Sequence, residues 1–168
     1  MFNVFTVCFF GHRYIDDFLL AETKVYKVIC KLIREKEYVE FLVGREGDFD
    51  RIVSSSIIRA KKKYDYGNCN HTLVMPYIKA EYIKNQREYE GYYDTVEICE
   101  KSAKSHPKSA IQIRNRYMTD RSDLCIFFVQ SQSGGAYQTM KYAVRNNKNV
   151  LNIAEANTPS PSHLFPAT

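Results

Sequence analysis

The chain has 168 residues, of which 45% are hydrophobic and 26% are charged, and its formal net charge is +5. This length corresponds to about one domain, and the composition excludes disordered and fibrous proteins. The five cysteines are widely spaced and include no Cys-x-x-Cys pair, so we expect neither a disulfide framework nor a metal site. No Gly-x-Gly-x-x-Gly motif is present, and we expect no cofactor.

The first predicted element is a strand over residues 4–10, which ends at the polar tripeptide 11–13. No basic region precedes this apolar run, and the tripeptide interrupts it too early for a signal peptide or a membrane span. No other apolar run is long enough to cross a bilayer. We therefore expect a cytoplasmic protein with no membrane partner.

Alternating elements follow the first strand. Apolar residues at helical spacing predict an amphipathic helix over about 17–36, which Asp16 or Asp17 can cap. A short buried strand over 41–43, a polar loop over 44–50 and a second helix come next. A third strand over 73–75 stops at Pro76. The order β-α-β-α-β is typical of the first half of a doubly wound parallel sheet.

The segment 77–105 is rich in tyrosine and shows neither a strand period nor a helix period. A stretch of this length without regular structure is commonly a functional loop or lid. The alternative is a partly helical excursion that packs its tyrosines onto the edge of the domain. The sequence leaves both interpretations open.

The C-terminal part returns to regular patterns. Pro107 is suited to the first position of a helix that Ser105 or His106 caps, residues 124–129 form an apolar strand, and the glycines at 134 and 135 open a last helix. A strand over 150–153 closes the sheet. We therefore predict an α/β fold with one Rossmann-like domain over 1–154, a mostly parallel sheet of about five strands flanked by helices, and an irregular tail over 155–168.

Three of the predicted strands end in polar loops that contain glycine, over 11–13, 44–50 and 130–135. In a parallel sheet such loops meet at one edge, where glycines admit a ligand and helix N-termini attract anions. Arg13 suits a phosphate, and Asp50 suits a ribose hydroxyl, although Asp48 or Asp50 can equally cap the helix that follows. The predicted ligand-binding residues are Gly11, His12, Arg13, Gly44, Arg45, Asp50, Arg114, Asn115, Ser133, Gly134 and Gly135.

The positive charge and the thirteen tyrosines raise the question of a nucleic-acid partner. The densest basic cluster, Arg59 with lysines 61–63, falls at the end of a predicted helix, where cations complement the helix dipole. On this basis we do not expect a nucleic acid among the partners. Binding of single strands by the tyrosine-rich segment is kept as a third hypothesis.

Taken in order, the loop motifs resemble those of the SLOG superfamily, in particular its small bacterial deoxyribosyltransferase-like branch. The motifs are Cys8-Phe9-Phe10-Gly11-His12-Arg13, Val43-Gly44-Arg45-Glu46-Gly47-Asp48-Phe49-Asp50-Arg51-Ile52-Val53, Ile113-Arg114-Asn115-Arg116-Tyr117-Met118, Ser122-Asp123 and Ser133-Gly134-Gly135-Ala136. The resemblance covers about residues 7–154. It implies a Rossmann-like domain that binds nucleotides, nucleotide sugars or related signals. Family relatives include the Lonely Guy phosphoribohydrolases and a DNA-processing protein that binds single strands.

One departure from the family pattern bears on activity. Lys141 stands where the Lonely Guy motif carries its glutamate, and a cation cannot act as the nucleophilic carboxylate. The leading hypothesis is therefore a sensor or sequestering module that binds a nucleotide or a nucleotide derivative.

The alternative is an N-glycosidase or deoxyribosyltransferase-like enzyme in which another carboxylate serves. The candidates are Glu46, Asp48, Asp50, Asp94 and Glu97. Asp94 is our choice for the catalytic residue, because the tyrosines before it could orient a carboxylate and stack on a base. Apolar helix faces left uncovered by a small sheet also suggest a homodimer.

Overall fold

In the computed structural model, which describes residues 3–155, six strands form one parallel sheet. Its elements are β1 (Val4–Gly11), α1 (Phe18–Glu35), β2 (Tyr38–Val43), α2 (Asp48–Tyr64), β3 (Cys69–Met75), α3 (Ala80–Lys84), α4 (Gln86–Tyr92), β4 (Thr95–Ile98), α5 (Glu100–Ala103), α6 (Pro107–Arg121), β5 (Leu124–Phe128), α7 (Gly135–Arg145) and β6 (Asn149–Asn152). The predicted α/β fold is confirmed, with six strands instead of about five.

The strands lie in the order β4-β3-β2-β1-β5-β6, and every neighbouring pair is parallel. The chain therefore builds the sheet outward from β1 in one direction as far as β4 and then returns to β5 on the other side. This reversal places a crevice at the carboxyl ends of β1 and β5. In open α/β sheets, ligands bind at such a switch point.

Successive side chains point to opposite faces of the sheet, as the period of two in a strand requires. Val7 and Phe9 of β1 pack in a core cluster with α1 and α2, whereas Cys8 and Phe10 belong to a second cluster with Met118 of α6 and α7. Both faces are covered by helices. This explains why the central strands appear in the sequence as continuous apolar runs.

Two helix starts agree with the capping residues named from the sequence. The Asp17 carboxylate accepts a hydrogen bond from the Leu20 N–H at 3.0 Å, and α6 begins at Pro107 after His106, whose Nδ1 accepts from the Lys108 N–H at 3.2 Å. The predicted tail lies outside the described residues apart from Glu155. Within residues 3–155, no helix is long and apolar enough to span a membrane.

The tyrosine-rich segment is more regular than its sequence suggests. It contains two short helices, a fourth strand and a further short helix, and it buries Tyr89 and Tyr93 against the core. β4 has only four residues, none of them fully buried, and it forms an edge of the sheet. The segment is therefore a partly helical excursion that also contributes a strand.

A buried histidine of β3 makes stability depend on pH. His71 is 1% exposed, its Nε2 lies 2.9 Å from the Ser54 hydroxyl, and burial lowers its pKa to about 4 from the usual 6.5. The unfolded chain therefore binds a proton that the folded chain does not between these two pH values. The contribution of the neutral His71 to the free energy of unfolding is complete above pH 6.5. It decreases by about 3 kcal/mol as the pH falls from 6.5 to 4.

This direction of the pH dependence leads to a prediction for His71→Gln, a variant that keeps a polar partner for Ser54 but has no side chain that titrates at position 71. Between pH 7 and pH 4 the wild type should lose about 3 kcal/mol more unfolding free energy than the variant. Urea unfolding at a series of pH values measures the difference. Parallel pH profiles for the two proteins would contradict the assignment.

Candidate functional site

The loops after β1, β2 and β5 meet at the switch point and enclose a cavity of about 570 Å³, here called the main compartment. Its wall consists of residues 9–14, Gly44, Glu46, Asp50, Lys108, residues 111, 112, 114 and 115, Ser131 and residues 133–136. Ten of the eleven residues named from the sequence as ligand-binding line it. The parallel sheet therefore brings these three loops together.

The loop after β1 presents one fixed and one open polar side chain. The Gln130 N–H donates to His12 Nε2 at 2.8 Å, so His12 ties the loop after β1 to the loop after β5. Arg13 is exposed, and within residues 3–155 its guanidinium makes no hydrogen bond or ion pair. His12 is therefore a positioning residue, while Arg13 is available to an anion.

Gly11 is explained by packing within the protein. A Cβ atom built on Gly11 would lie 2.3 Å from Cγ of Phe49, which is buried at the start of α2 and stacks on Phe128. No real Cβ approaches an atom so closely. The glycine lets α2 approach β1, and it does so whether or not a ligand is present.

The loops after β1 and β2 are also joined directly. The Asp48 N–H donates to the Arg13 carbonyl oxygen at 2.8 Å, and the Asp48 carboxylate accepts from the Ile15 N–H at 3.0 Å. A Cβ on Gly47 would come within 2.5 Å of Cα of Arg13. Asp48 and Gly47 thus hold Arg13 at the rim of the main compartment.

Arg114 lies at the floor of the main compartment, where only 3% of its side chain is exposed. Its guanidinium donates to the Val74 carbonyl at 2.6 Å and to the Asn115 side-chain oxygen at 2.9 Å, and it lies 3.6 Å from the Glu46 carboxylate. The Asn115 amide nitrogen in turn donates to the Thr139 hydroxyl at 3.3 Å. Arg114 and Asn115 therefore fix α6 to β3 and α7.

Two carboxylates stand beside this arginine. Asp50 accepts from the Glu46 N–H at 2.7 Å, and burial raises the pKa of its carboxyl group. Glu46 forms a second ion pair with Lys79 at 3.0 Å. The floor of the main compartment thus offers carboxylate oxygens as hydrogen-bond acceptors, while its cations, Arg114 and Lys79, are already paired with Glu46.

The N-terminus of α7 is the opening in this edge that best suits an anion. Gly134 has φ of +91°, which a residue with a side chain adopts only under strain, and the first turn contains no acidic residue and no side-chain cap. The first turn of α2, by contrast, contains Asp48 and Asp50. The free N–H groups of α7 therefore face no negative charge of their own helix.

Arg45 lies outside the main compartment. Its guanidinium is held by the Tyr93 hydroxyl at 3.2 Å, by Glu81 at 3.4 Å and by the Tyr89 ring, whose centroid lies 4.4 Å away. These residues belong to a neighbouring cavity of about 450 Å³, here called the tyrosine compartment. It is lined by residues 44–47, Asp50, Arg51, Ser54, Glu81, Glu88, Tyr89, Tyr92 and Tyr93.

Asp94, named from the sequence as the catalytic residue, lies at the amino end of β4, the outermost strand on one side of the sheet. It precedes β4, its carboxylate accepts from the His71 N–H at 2.8 Å, and it forms an ion pair with Lys61. It lines neither compartment. This placement gives Asp94 a structural contact to β3 and α2 and does not bring it to the cleft.

Some cleft residues were not named from the sequence. Lys108 and Gln112 line the main compartment from α6, and Lys79 reaches Glu46 across 33 residues of chain. The rule that helices begin at the carboxyl edge would have indicated Lys108, had the strand before α6 been recognised. No three His, Cys, Asp or Glu side chains are grouped as metal ligands in the part of the chain from residue 3 to residue 155.

Comparison with known proteins gives relatives by structure only. No protein-family model matches the chain, and no curated protein matches it by sequence. DNA processing protein A from Streptococcus pneumoniae is similar in structure, with 16% identity and a TM-score of 0.63 over 87% of this chain and 49% of that chain. This chain therefore spans about half the length of that protein.

Two further solved structures are similar. DNA processing protein A from Helicobacter pylori, described in its single-stranded DNA binding mode, has 12% identity and a TM-score of 0.62 over 95% of this chain and 70% of that chain. The protein TM1055 has 13% identity and a TM-score of 0.57 over 87% of this chain and 72% of that chain. At these identities the likeness shows the fold alone.

The comparison corrects one expectation from the sequence. We expected no nucleic acid among the partners, but two of these structural neighbours are DNA processing proteins and one is described with single-stranded DNA. The local charge pattern at the end of α2 was too narrow a basis for that exclusion. The likeness to these proteins extends to the Rossmann-like α/β fold.

Proposed function

We propose that this chain is a SLOG-type binding module that takes a nucleotide or a nucleotide-derived ligand in the main compartment and acts as a sensor or sequestering protein. One observation carries the proposal. The acid-free N-terminus of α7 and the guanidinium of Arg13, which has no ion pair or hydrogen bond to residues 3–155, line the same cavity at the switch point of a parallel sheet. Helix N-termini in this position commonly bind phosphate.

The charges of the compartment suggest how the ligand lies. Its phosphate is placed at the first turn of α7 with Ser133, Arg13 and Lys108, away from the carboxylates. Its ribose hydroxyls are placed at Asp50, whose free lone pairs accept hydrogen bonds. Arg114 and Asn115 act through Asp50 and the floor, because their polar groups are already engaged within the protein.

The test compares Arg13→Ala with Arg145→Ala, an exposed arginine at the opposite end of α7 that carries the same charge change. Thermal shift and calorimetry with AMP, GMP, CMP and UMP should identify a binding nucleotide. Arg13→Ala loses one charge-assisted contact of about 1.5–3 kcal/mol, so its affinity for that nucleotide should fall by roughly tenfold to a hundredfold. The affinity of Arg145→Ala should stay near that of the wild type. Equal affinities of the two variants would contradict the placement.

Mass spectrometry of the same mixtures distinguishes binding from catalysis. A ligand recovered intact supports the binding module. A released base identifies an N-glycosidase, for which Asp50 is the first carboxylate to replace, because its raised pKa suits a proton donor in the cleft. In that case Asp50→Asn should abolish release of the base.

Single-stranded nucleic acid is a second candidate ligand, favoured by the DNA processing proteins among the structural neighbours. Anisotropy with a labelled 12-nucleotide strand between 50 and 200 mM salt should then give a steep loss of affinity. Because each neutralised phosphate of a single strand contributes about −0.7 to the slope of log K against log salt, Arg13→Ala should make the slope less steep by about that amount. A strand that fails to bind at 50 mM salt would exclude this candidate.

A further inference from the structure

The tyrosine compartment adjoins the main compartment and shares a wall with it. Gly44, Glu46 and Asp50 line both cavities. Each cavity alone, at about 450 and 570 Å³, falls in the range of roughly 300–1,000 Å³ that small-molecule sites occupy. A ligand that fills both must therefore have two parts joined over this wall.

The tyrosine compartment has a rigid aromatic lining. Tyr89 and Tyr93 are each 3% exposed, and Tyr92 packs edge-on against Tyr93 with ring centroids 4.8 Å apart and an interplanar angle of 79°. Tyr92 nevertheless keeps 40% of its surface exposed. Packing holds its ring in place while leaving an aromatic surface open to a flat ligand group, the arrangement on which nucleobases stack.

The charges that line the tyrosine compartment favour a nucleobase over a phosphate group. Glu81 and Glu88 line it together with the shared carboxylates Glu46 and Asp50, which disfavours a phosphate group deep inside. Carboxylates accept hydrogen bonds from the amino groups of bases and from ribose hydroxyls. Arg51 also lines the compartment, and in the part of the chain that the structure describes its guanidinium has no ion-pair or hydrogen-bond partner, so a cation is available for a linking phosphate.

We infer that the tyrosine compartment is a second nucleoside subsite, so that the cleft takes ligands in which two nucleosides are joined through phosphate. The first nucleotide occupies the main compartment, and the inference therefore rests on the proposed function. The second base stacks on Tyr92, and the linking phosphate lies near Arg51. A free dinucleotide and one step of a single strand share this chemistry.

The experiment measures the affinity of four mononucleotides, AMP, GMP, CMP and UMP, and of the dinucleotides pApA, pGpG, pCpC and pUpU by calorimetry. For the base that binds, the dinucleotide should bind about tenfold to a hundredfold more tightly than the mononucleotide, as expected for one added stacked base. Tyr92→Leu should remove this advantage without changing the affinity of the mononucleotide, and Tyr92→Phe should retain it.

Two variants control for structural damage. Tyr117→Leu alters a tyrosine of similar exposure, 38%, on α6 outside both compartments, and it should leave both affinities unchanged. Arg51→Ala changes an exposed side chain, and it should weaken binding of the dinucleotide several-fold without changing the affinity of the mononucleotide.

The remaining outcomes separate the two proposals. Equal affinity of mononucleotide and dinucleotide in the wild type overturns the second subsite and leaves the proposed function standing. Failure of every mononucleotide and dinucleotide to bind overturns both. A 12-nucleotide strand that binds at least tenfold more tightly than the dinucleotide, and still depends on Tyr92, identifies a single strand as the source, whereas equal affinity identifies a free dinucleotide.

Discussion

Arg114→Met is expected to destabilise the protein by about 3–5 kcal/mol, because the substitution removes the buried cation and leaves its partners in place. The Val74 carbonyl and the Asn115 oxygen would each lose a hydrogen-bond donor, and Glu46 would lose Arg114 as a counterion while keeping Lys79. A methionine of similar length fills the space without supplying a donor. For a chain of this size, the loss corresponds to a fall in melting temperature of about 6–20 °C.

Arg116→Met is the matched control, two residues along the same helix. Arg116 is exposed, and its guanidinium lies 5.1 Å from the ring centroid of Tyr142. An exposed contact of this kind contributes about 0.5–1 kcal/mol. Urea unfolding of both variants measures the difference, and an Arg114→Met protein within 1 kcal/mol of the control would show that the buried network contributes little to stability.

Most of the sheet could be predicted from the sequence, because five of its strands have long buried runs or follow clear helix signals. β4 could not. Within residues 3–155 it lies at an edge and pairs with β3 alone, and its first residue, Thr95, is exposed, so it needs no continuous apolar run. Its place in the fold depends on the burial of Tyr89 and Tyr93, which local spacing does not reveal.

The position of the cleft in the fold could be predicted from the sequence, but the side-chain contacts within it could not. The rule for parallel sheets locates the three loops, whereas side-chain direction decides which residues line the cavity between them. Tyr93 and Asp94 illustrate this, since neighbouring residues in extended backbone point to opposite sides. Tyr93 turns toward Arg45 in the tyrosine compartment and Asp94 turns toward Lys61, so Asp94 does not share the cavity of the tyrosine before it.

The glycine of the loop after β1 gives the second large prediction, a coupled pair with Phe49. Phe49→Ala should cost about 3–5 kcal/mol, because the ring is 1% exposed and stacks on Phe128 at 5.8 Å. Gly11→Ala should cost about 1–3 kcal/mol, since its new methyl group would lie 2.3 Å from Cγ of that ring. Urea unfolding of each single variant measures these costs.

The double variant shows whether the two residues act through each other. With the Phe49 ring removed, the methyl group of Gly11→Ala enters the vacated space, so the pair should cost clearly less than the sum of the single changes, with a coupling of about 1–3 kcal/mol. If the losses of unfolding free energy simply add, the cost of Gly11→Ala does not come from contact with the Phe49 ring. Because Phe49 lies in the first turn of α2, next to Asp48, whose N–H donates to the Arg13 carbonyl, a coupled pair would also mean that core packing alone sets the shape of the main compartment.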